Sequence, residues 1–559
     1  MSQTKIEYET VQIGAALLVR GLLKELGVVR AIDSALSVQP EINATYGHLL
    51  QVIIINRLSL NPQPLYRIGE WSAQHGIDLL FGIDAAWLDD DRLGAGLEAV
   101  ADHQVEIWVS ILKRVRQRFK LPLDELHGDT TSIYFEGDFD GVQTEMPDQE
   151  AKPDQKAKPE RIPELRLGYN KDGQRDKKQM VLSLLNVGRV PVWYCPRNGN
   201  HSDDGVSWRD LKELGKQALL PENCLLIGDC KVCQRETMLE CCRVKQRFLA
   251  PHPWTPTAKD VWIETAAKIQ VGQLNWEPLD YLSQNDARKA PDKHPQYGVC
   301  EVAQRLDDKA FKASYDLRWL FIHSSRPAAT DKRQREKALK EGAQALDRLS
   351  GLMGKYHYRK REFITQRIEQ ELRRTKAASY FKYTLTGTEG ERDWRLIWER
   401  DEEAIKTAAC FDGISLMCTN VPEPELPANE AQRKYKEQIG VEQTIDFIKS
   451  PVQIRPMWLH LPKRIAGLTL LIMIAVLVAM LLEFEVRRLL KEQNEKIAGL
   501  RPEGRKDPAP TAKSLLRAFS NYSLVIVKHA DGTQETHYPK FRPVPQQIWD
   551  LLGLPPLPG

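Results

Sequence analysis

The sequence predicts an α/β protein in which a helical N-terminal region precedes a mixed sheet flanked by helices. Three observations lead to this prediction. Up to Arg114, apolar residues recur at helical spacing. From about residue 126 onward, short β-forming runs end in Gly or Gly-Asp, as strands do. Later, the uncharged run of residues 465–482 is apolar all round, as a buried core helix is.

Length and composition indicate a globular protein of several domains. The chain has 559 residues, 42% hydrophobic and 28% charged, and this length implies about three or four domains. A net charge of +3 is small, so nucleic-acid binding would depend on local patches. Nine Cys residues, and a start that lacks the basic and apolar segments of a secretory leader, favour the reducing cytoplasm.

The N-terminal region, residues 1–114, is predicted to be all-helical. Leu17 to Leu26 form one apolar stripe, and Gly27 stands where a helix C-cap is expected. Three adjacent aspartates, Asp89–Asp91, suit the positive start of a later helix. They lack the spacing of metal ligands, so a capped, solvated helix start is the favoured interpretation.

Two aspartates stand in strand contexts. Asp129 interrupts a run rich in Thr, Ile, Tyr and Phe. If buried, it must be paired or bind metal; the alternative is an edge-strand residue that points at solvent. Asp229 ends the apolar run of residues 224–229, which describes a parallel strand with a functional group at its carboxyl end. Further strands are predicted at residues 179–185 and 190–194. This series suits the opening of an RNase H-like sheet.

A helical stripe is predicted near residue 440, where side chains recur at steps of three and four. Its members are Tyr435, Gln438, Glu442, Ile445 and Lys449. A phenol and an ammonium suit phosphate oxygens, and a carboxylate suits a hard divalent cation. The combination would serve phosphodiester chemistry; a solvated face of mixed charge is the alternative. Asp412 is a rival carboxylate, but Asp-Gly is a favoured turn pair.

The spacing Tyr435-x2-Gln438-x3-Glu442-x6-Lys449 resembles the Tyr-x2-Arg-x3-Glu-x6-Lys signature of DDE transposases of the insertion-sequence-four superfamily. Three of the four positions match, and Gln438 stands where relatives carry Arg. The N-terminal region resembles the branch of that superfamily named after insertion sequence sixteen-thirty-four.

The resemblance implies an RNase H-like catalytic domain that an insertion splits before the third carboxylate. The implied catalytic residues and metal ligands are Asp129, Asp229 and Glu442, which would hold two Mg²⁺ ions, or Mn²⁺ in their place. The implied contacts to DNA come from Tyr435, Gln438 and Lys449. The activity would be cleavage at transposon ends (terminal inverted repeats) and strand transfer into target DNA. A homodimer would bridge two ends, in the cytoplasm and associated with the nucleoid.

These inferences divide the chain into five parts. They are an N-terminal helical domain that binds element ends (1–114), the first part of the catalytic domain (115–257), an insertion subdomain (258–405), the second part of the catalytic domain (406–500), and a linker with a C-terminal hairpin and helix (501–559). A poorly ordered loop is predicted at residues 147–163, and a basic surface with interleaved aromatic residues at 356–381.

Two other classes of function remain open. One is a catalytically inactive DNA-binding remnant of a transposase. The other is a membrane-attached protein that spans at Ile465–Leu482, a run at the lower length limit for a spanning helix. We favour a buried core helix for this run, and thus no membrane partner, because helices in the interior of large α/β domains are apolar all round.

Overall fold

The computed structural model describes residues 7–37, 44–136, 161–170, 172–174, 176–283, 286–450, 452, 454, 459–501, 504–529, 531 and 533–558. They form two compact units: the first combines residues 1–237 with 436–559, and the second is residues 238–435. Residues 147–160 of the predicted loop at 147–163 lie outside the described residues.

In its described part, the first unit begins with a strand and then continues in helices. The strand β1 (Glu7–Gln12) pairs antiparallel with Ser523–Lys528 near the other end of the chain. The prediction of an all-helical N-terminal region is therefore wrong. The sequence did not reveal β1 because a strand whose partner is so distant leaves no local signal. The helices are α1 (Ala16–Leu26), α2 (Val28–Ala35), α3 (Tyr46–Arg57), α4 (Ile68–Gln74), α5 (Ile77–Phe81), α6 (Asp90–Ala101) and α7 (Gln104–Phe119).

Two helix-end predictions are confirmed in this region. Gly27 follows α1 with φ of 62°, a left-handed conformation that glycine adopts without strain. Asp89 caps α6, because its side chain accepts a hydrogen bond from the backbone amide of Arg92 at 2.8 Å. The aspartates at residues 89–91 thus form a helix start.

The first unit contains a run of four neighbouring strands, β2 (Glu125–Tyr134), β3 (Gln179–Val187), β4 (Val190–Arg197) and β5 (Leu225–Ile227), with the helix α8 (Val206–Gly215) between the last two. Their spatial order is β4-β3-β2-β5. The β4–β3 and β3–β2 pairs are antiparallel, whereas β2 and β5 are parallel. The predicted mixed α/β architecture is confirmed.

The second unit is built on antiparallel strands. Its elements, the first of which begins at the end of the preceding unit, are α9 (Arg235–Arg243), β6 (Arg247–Pro251), α10 (Pro256–Gln270), β7 (Glu277–Leu279), β8 (Tyr297–Asp308), β9 (Ala313–Ser324), α11 (Ser325–Ser350), α12 (Arg361–Arg374), β10 (Phe381–Thr386), β11 (Arg395–Arg400), α13 (Glu402–Ala409), β12 (Ile414–Thr419) and α14 (Ala428–Lys436). The order β6-β12-β9-β8-β7 runs through one sheet. The hairpin β10–β11 packs with α11 and α12 around a separate apolar core.

The chain then returns to the first unit. The elements there are α15 (Ile439–Lys449), α16 (Pro462–Glu492), α17 (Ala512–Ala518), β13 (Ser523–Lys528), β14 (Gln534–His537) and α18 (Pro543–Leu551). The predicted C-terminal hairpin is confirmed by the antiparallel pairing of β13 with β14. Because β13 also pairs with β1, this hairpin is part of the first unit.

Helix α16 is the central helix of the first unit. Its most apolar 18-residue window satisfies the length and hydropathy of a membrane span, yet all of that window is buried within the fold. Gly467 lies so close to the backbone of Leu97 in α6 that a Cβ would collide with it. Further along, the buried carboxylate of Glu483 accepts hydrogen bonds from the guanidinium of Arg189 at 2.6 and 2.7 Å. The core-helix interpretation of residues 465–482 is confirmed.

The predicted stripe around residue 440 does not lie on one helix. Helix α14 ends at Lys436 and α15 begins at Ile439, with a turn between them. Steps of three and four residues continue across such a short break, so periodicity alone did not reveal it. Tyr435 and Glu442 therefore stand on different helices.

Candidate active site

Strand β2 presents its two faces to different helices. Nδ1 of His127 lies 3.0 Å from Oε1 of Gln438, at the start of α15. The next residue, Gly128, faces α8, because a Cβ there would collide with Oγ of Ser207. Side chains alternate between the two faces of a strand. Asp129 therefore shares the α15 face with His127.

Asp129 and Asp229 each stand a short way after paired residues of the adjacent parallel strands β2 and β5. The last register pair of β2 with β5 stands two residues before each aspartate. A Cβ on Gly228 would lie 3.7 Å from the carbonyl oxygen of Gly128, so the two chains are still adjacent immediately before the aspartates. Like Gly128, Gly228 is directed toward Ser207, whose Oγ would lie 3.8 Å from that Cβ.

Both aspartates are half-buried and accept hydrogen bonds from nearby backbone amides. Oδ1 of Asp129 accepts from the amide of Thr130 at 2.7 Å, and Oδ1 of Asp229 accepts from the amide of Lys231 at 3.0 Å. Backbone donors orient a carboxylate and favour its charged form. Each carboxylate is thus held by the backbone that follows it, within β2 for Asp129 and just beyond β5 for Asp229.

Gln438 joins α15 to the strand that carries Asp129. It is 8% exposed, and its Nε2 donates to the carbonyl oxygen of Gly128 at 2.8 Å. Its Oε1 is then the atom that accepts from Nδ1 of His127. We predicted that this amide contacts DNA phosphate. In this structure both polar atoms of the buried amide are bonded to β2, and the contact to phosphate stays a prediction.

Two close approaches fix α15 on the turn between β3 and β4. A Cβ on Gly440 would lie 2.5 Å from the carbonyl oxygen of Gly188, so only glycine fits there without a shift. One turn later, Oγ1 of Thr444 donates to the carbonyl oxygen of Arg189 at 2.8 Å. The helix therefore packs on β2 and on the turn between β3 and β4.

Glu442 stands in the first turn of α15 and is exposed. It follows Gln438 by four residues, so the two side chains lie one above the other on one side of the helix. Among the described residues, one group of three His, Asp or Glu side chains has its ligand atoms within 4.8 Å of one another. That group does not include Asp129, Asp229 or Glu442. Asp129 shares the α15 face of β2 with His127, but these three carboxylates do not form a tight cluster.

The two other residues predicted to contact DNA have different settings. Nζ of Lys449 lies 3.1 Å from each carboxylate oxygen of Asp172, and the lysine side chain is 12% exposed. Lys449 is thus paired with a carboxylate of its own chain. Tyr435 lies in the last turn of α14, in the second unit. The rival carboxylate, Asp412, forms an ion pair with Arg335 inside that unit.

The side chains that do form a tight group are Glu125, His127 and Glu437, whose ligand atoms lie within 4.8 Å of one another. Our sequence analysis missed this group. His127 lies on the predicted strand and Glu125 stands just before it, two residues away and hence on the same face of β2, which is the signal that could have revealed two of them. Glu437 could not be found in this way, because only the fold brings it close.

Asp204 organises the turn that follows Asp229. Its Oδ1 accepts from Nζ of Lys231 at 2.7 Å and from Nε2 of Gln234 at 2.6 Å. The hydrogen bond from Lys231 is the main cause that holds the pKa of Asp204 below its ordinary value. The same bond raises the pKa of Lys231. A charged pair therefore fixes the backbone just beyond Asp229.

Two arginines of the basic surface predicted in the second unit form ion pairs. On α12, Arg373 contacts Glu369 at 3.1 Å and Arg374 contacts Glu371 at 2.9 Å. Both are pairs within one helix, at spacings of four and three residues. Tyr356, in the preceding turn, is 84% exposed and is available for stacking.

Comparisons with known proteins give a family match at the N-terminus. Residues 8–112 match the model of a family described as a domain of unknown function, DUF4277. No curated protein matches the chain. Among the solved structures that match is one described as the cryo-EM structure of piggyBac transposase synaptic complex with hairpin DNA. It is 8% identical, and the alignment covers 92% of this chain and 82% of that one, with a TM-score of 0.34. We draw no inference about this chain from so distant a likeness.

Proposed function

We propose that this protein is a DDE transposase, a metal-dependent enzyme that cleaves DNA at insertion-sequence ends and transfers the strand into target DNA. The observation that carries the proposal is the arrangement of Asp129 and Asp229. They follow paired positions on adjacent parallel strands, and β2 turns Asp129 toward the helix that bears Glu442. These are the residues that the transposase resemblance singles out.

The orientation of Asp229 follows from its neighbour. Gly228 is directed toward Ser207 on the α8 side, as Gly128 is. If the alternation of β5 continues for two residues, Asp229 points to the opposite side, the one that α15 covers. Two carboxylates that follow paired positions of adjacent strands and lie on one face are well placed to share a cation.

The third carboxylate is argued from helix and strand dimensions. Gln438 is bonded to Gly128, and Glu442 lies about 6 Å further along α15, at about 1.5 Å per residue. Asp129 lies about 3.3 Å beyond Gly128 on the strand. The two displacements differ by about one side-chain length, so the Glu442 side chain can extend toward Asp129. Glu442 is also exposed, so a cation and DNA can reach it.

The order of the strands supports an RNase H-like catalytic domain. Counted from β2, the spatial order is third, second, first, fourth, and the fourth strand is parallel to the first. The first and fourth strands lead to Asp129 and Asp229. The second unit, residues 238–435, falls in the sequence between Asp229 and Glu442, where we expect the insertion that splits such a domain.

The donor set fits a hard divalent cation. Asp129, Asp229 and Glu442 offer carboxylate oxygens, the ligands that Mg²⁺ prefers, with Mn²⁺ as a substitute. Three like charges repel each other without a cation, which agrees with ligand atoms that are not yet gathered within 4.8 Å. Two bound Mg²⁺ ions would supply an activated nucleophile and stabilise the leaving oxygen at phosphorus.

The protein's own groups would hold the DNA. Tyr435 and Lys449 are the proposed phosphate contacts, for which Lys449 would exchange Asp172 for a phosphate. For Gln438, also predicted to contact phosphate, we propose a positioning role as well, since its amide joins α15 to β2. The proposed partners are transposon-end and target DNA, bridged by a homodimer that acts in the cytoplasm, associated with the nucleoid.

Strand nicking tests the proposal. The substrate is duplex DNA that carries the sequences flanking the reading frame, in which inverted repeats are expected, with Mg²⁺ or Mn²⁺. We expect Glu442→Gln to lower the nicking rate by at least about 100-fold while DNA binding is kept, because a metal ligand is lost. Asp446→Asn is the matched control, since Asp446 is exposed on the same helix one turn later. Its rate should stay within about twofold of wild type, the size expected of a surface change.

Two outcomes would contradict the proposal. Equal nicking by wild type and Glu442→Gln would exclude Glu442 from the site. DNA binding by the wild type without nicking in either metal would identify the chain as an inactive DNA-binding remnant.

A further inference from the structure

We propose that Glu125, His127 and Glu437 form a separate binding site for a divalent transition ion such as Zn²⁺, which ties the start of α15 to β2. This inference does not rest on the proposed transposase activity. It stands on the geometry of these three side chains and of the amide of Gln438 beside them.

The spacing of the ligand atoms suits one ion. All three ligand atoms lie within 4.8 Å of one another, and Nε2 of His127 is 3.0 Å from Oε1 of Glu125. Two ligands that are each about 2.1 Å from a tetrahedral ion stand about 3.4 Å apart. Small side-chain adjustments would therefore admit an ion, with no change in the backbone of β2.

The imidazole is oriented for coordination. Nε2 of Gln438 donates to the carbonyl of Gly128, so Oε1 is left to accept, and Nδ1 of His127 must carry the proton. In neutral imidazole, the lone pair then stands on Nε2, the nitrogen that faces Glu125. Metal-binding histidines generally donate their other N–H to an oxygen in this way.

The three ligands differ in burial, so the site is closed on one side and open to solvent on the other. His127 is 1% exposed and Glu125 is half-buried, whereas Glu437 is exposed in the turn between α14 and α15. An ion can reach the site from the Glu437 side and would hold that turn against the strand. Three protein ligands leave a coordination position for water.

The chemistry of the ligands selects the ion. One imidazole and two carboxylates suit Zn²⁺ and neighbouring first-row ions, whereas Mg²⁺ prefers oxygen ligands alone. The group also shares no residue with the proposed Mg²⁺ ligands. His127 stands two residues before Asp129 on the same face, which separates their backbones by about 6.6 Å.

The test is titration of metal-free, full-length protein with Zn²⁺ by calorimetry. We expect wild type to bind one Zn²⁺ that Glu437→Gln binds at least about tenfold more weakly, as loss of a ligand predicts. Glu437 is exposed, so this variant should fold. Asp129→Asn and Asp446→Asn should keep wild-type affinity. With Co²⁺ as the probe, the wild-type spectrum should lack a thiolate charge-transfer band, which excludes the nine Cys residues as the ligands.

Equal Zn²⁺ affinity in wild type and Glu437→Gln would overturn the proposal, and Glu125 with His127 would then be a buried ion pair. A thiolate band in the cobalt spectrum, or loss of the site in Asp129→Asn alone, would overturn it as well. These outcomes are independent of nicking by Glu442→Gln, so failure of this site and failure of the proposed activity can be told apart.

Discussion

The side-chain amide of Gln438 donates to the backbone carbonyl of Gly128 at 2.8 Å, immediately before Asp129. This bond stands between the helix that carries Glu442 and the strand that carries Asp129. The same carbonyl lies close to Gly228, the residue before Asp229. The amide of Gln438 thus sits where the three chain segments that carry the predicted carboxylates meet.

Gln438→Ala should lower the free energy of unfolding by about 2–6 kcal/mol. The change leaves two buried groups without their partner, Nδ1 of His127 and the carbonyl of Gly128, and each costs about 1–3 kcal/mol. Urea denaturation measures the effect. Gln443→Ala, at an exposed position of the same helix, is the control and should change stability by less than about 0.5 kcal/mol. Equal effects of the two changes would mean that the amide does not join α15 to β2.

Gly440→Ala should destabilise the first unit and displace α15. The new methyl group would meet the carbonyl oxygen of Gly188, and such overpacking costs about 1–3 kcal/mol. Nicking should fall as well, because Glu442 moves with the helix. Thermal unfolding and the nicking assay are the measurements. Gly215→Ala, where a methyl group has space, is the control. Wild-type stability and activity in Gly440→Ala would contradict the tight seat on the β3–β4 turn.

Glu483→Gln should lower the free energy of unfolding by up to about 3 kcal/mol. The carboxylate is 3% exposed and bonds to Arg189 at 2.6 Å and Arg487 at 2.8 Å, so the change leaves two partly buried cations without their anion. Glu492→Gln removes an exposed intrahelical pair of the same helix and should cost less than about 0.5 kcal/mol. Denaturation of both variants compares them, and a loss no greater at Glu483 than at Glu492 would refute the buried network.

Asp204→Asn should destabilise the protein at neutral pH and have no effect in acid. The hydrogen bond from Lys231 lowers the pKa of Asp204 in the folded state. Its contribution is therefore fully present above the ordinary pKa of about 3.9 and is lost as the pH falls through the folded value. Unfolding of the variant and wild type between pH 7 and strongly acid conditions measures the difference. Glu222→Gln, at an exposed site, is the control. A difference that grows as the pH falls would contradict this pairing.

The strands that carry the aspartates could be predicted because their signals are local. The β-forming run around Asp129 and the apolar run before Asp229 both give strand character over a few residues, and β2 and the strand end at Ile227 are where the sequence places them. The buried helix α16 could be predicted for the same reason, because a long uncharged run is a local signal.

Other features could not be predicted because they depend on contacts between distant segments. The pairing of β1 with β13 joins segments near the two ends of the chain. The sequence pattern around Gln438 is typical of a surface position, and only the packing of α15 on β2 buries its amide. The turn at residues 437–438 preserves helical spacing, so it leaves no trace in the pattern. Glu437 joins His127 only through that turn.

The central claim is that Asp129, Asp229 and Glu442 hold divalent metal against a DNA strand. The most direct measurement is the anomalous signal of Mn²⁺ in crystals of the protein with transposon-end DNA. We predict Mn²⁺ coordinated by both aspartates and by Glu442, beside the scissile phosphate. Mn²⁺ bound elsewhere, with the three carboxylates apart while DNA is in place, would contradict the account.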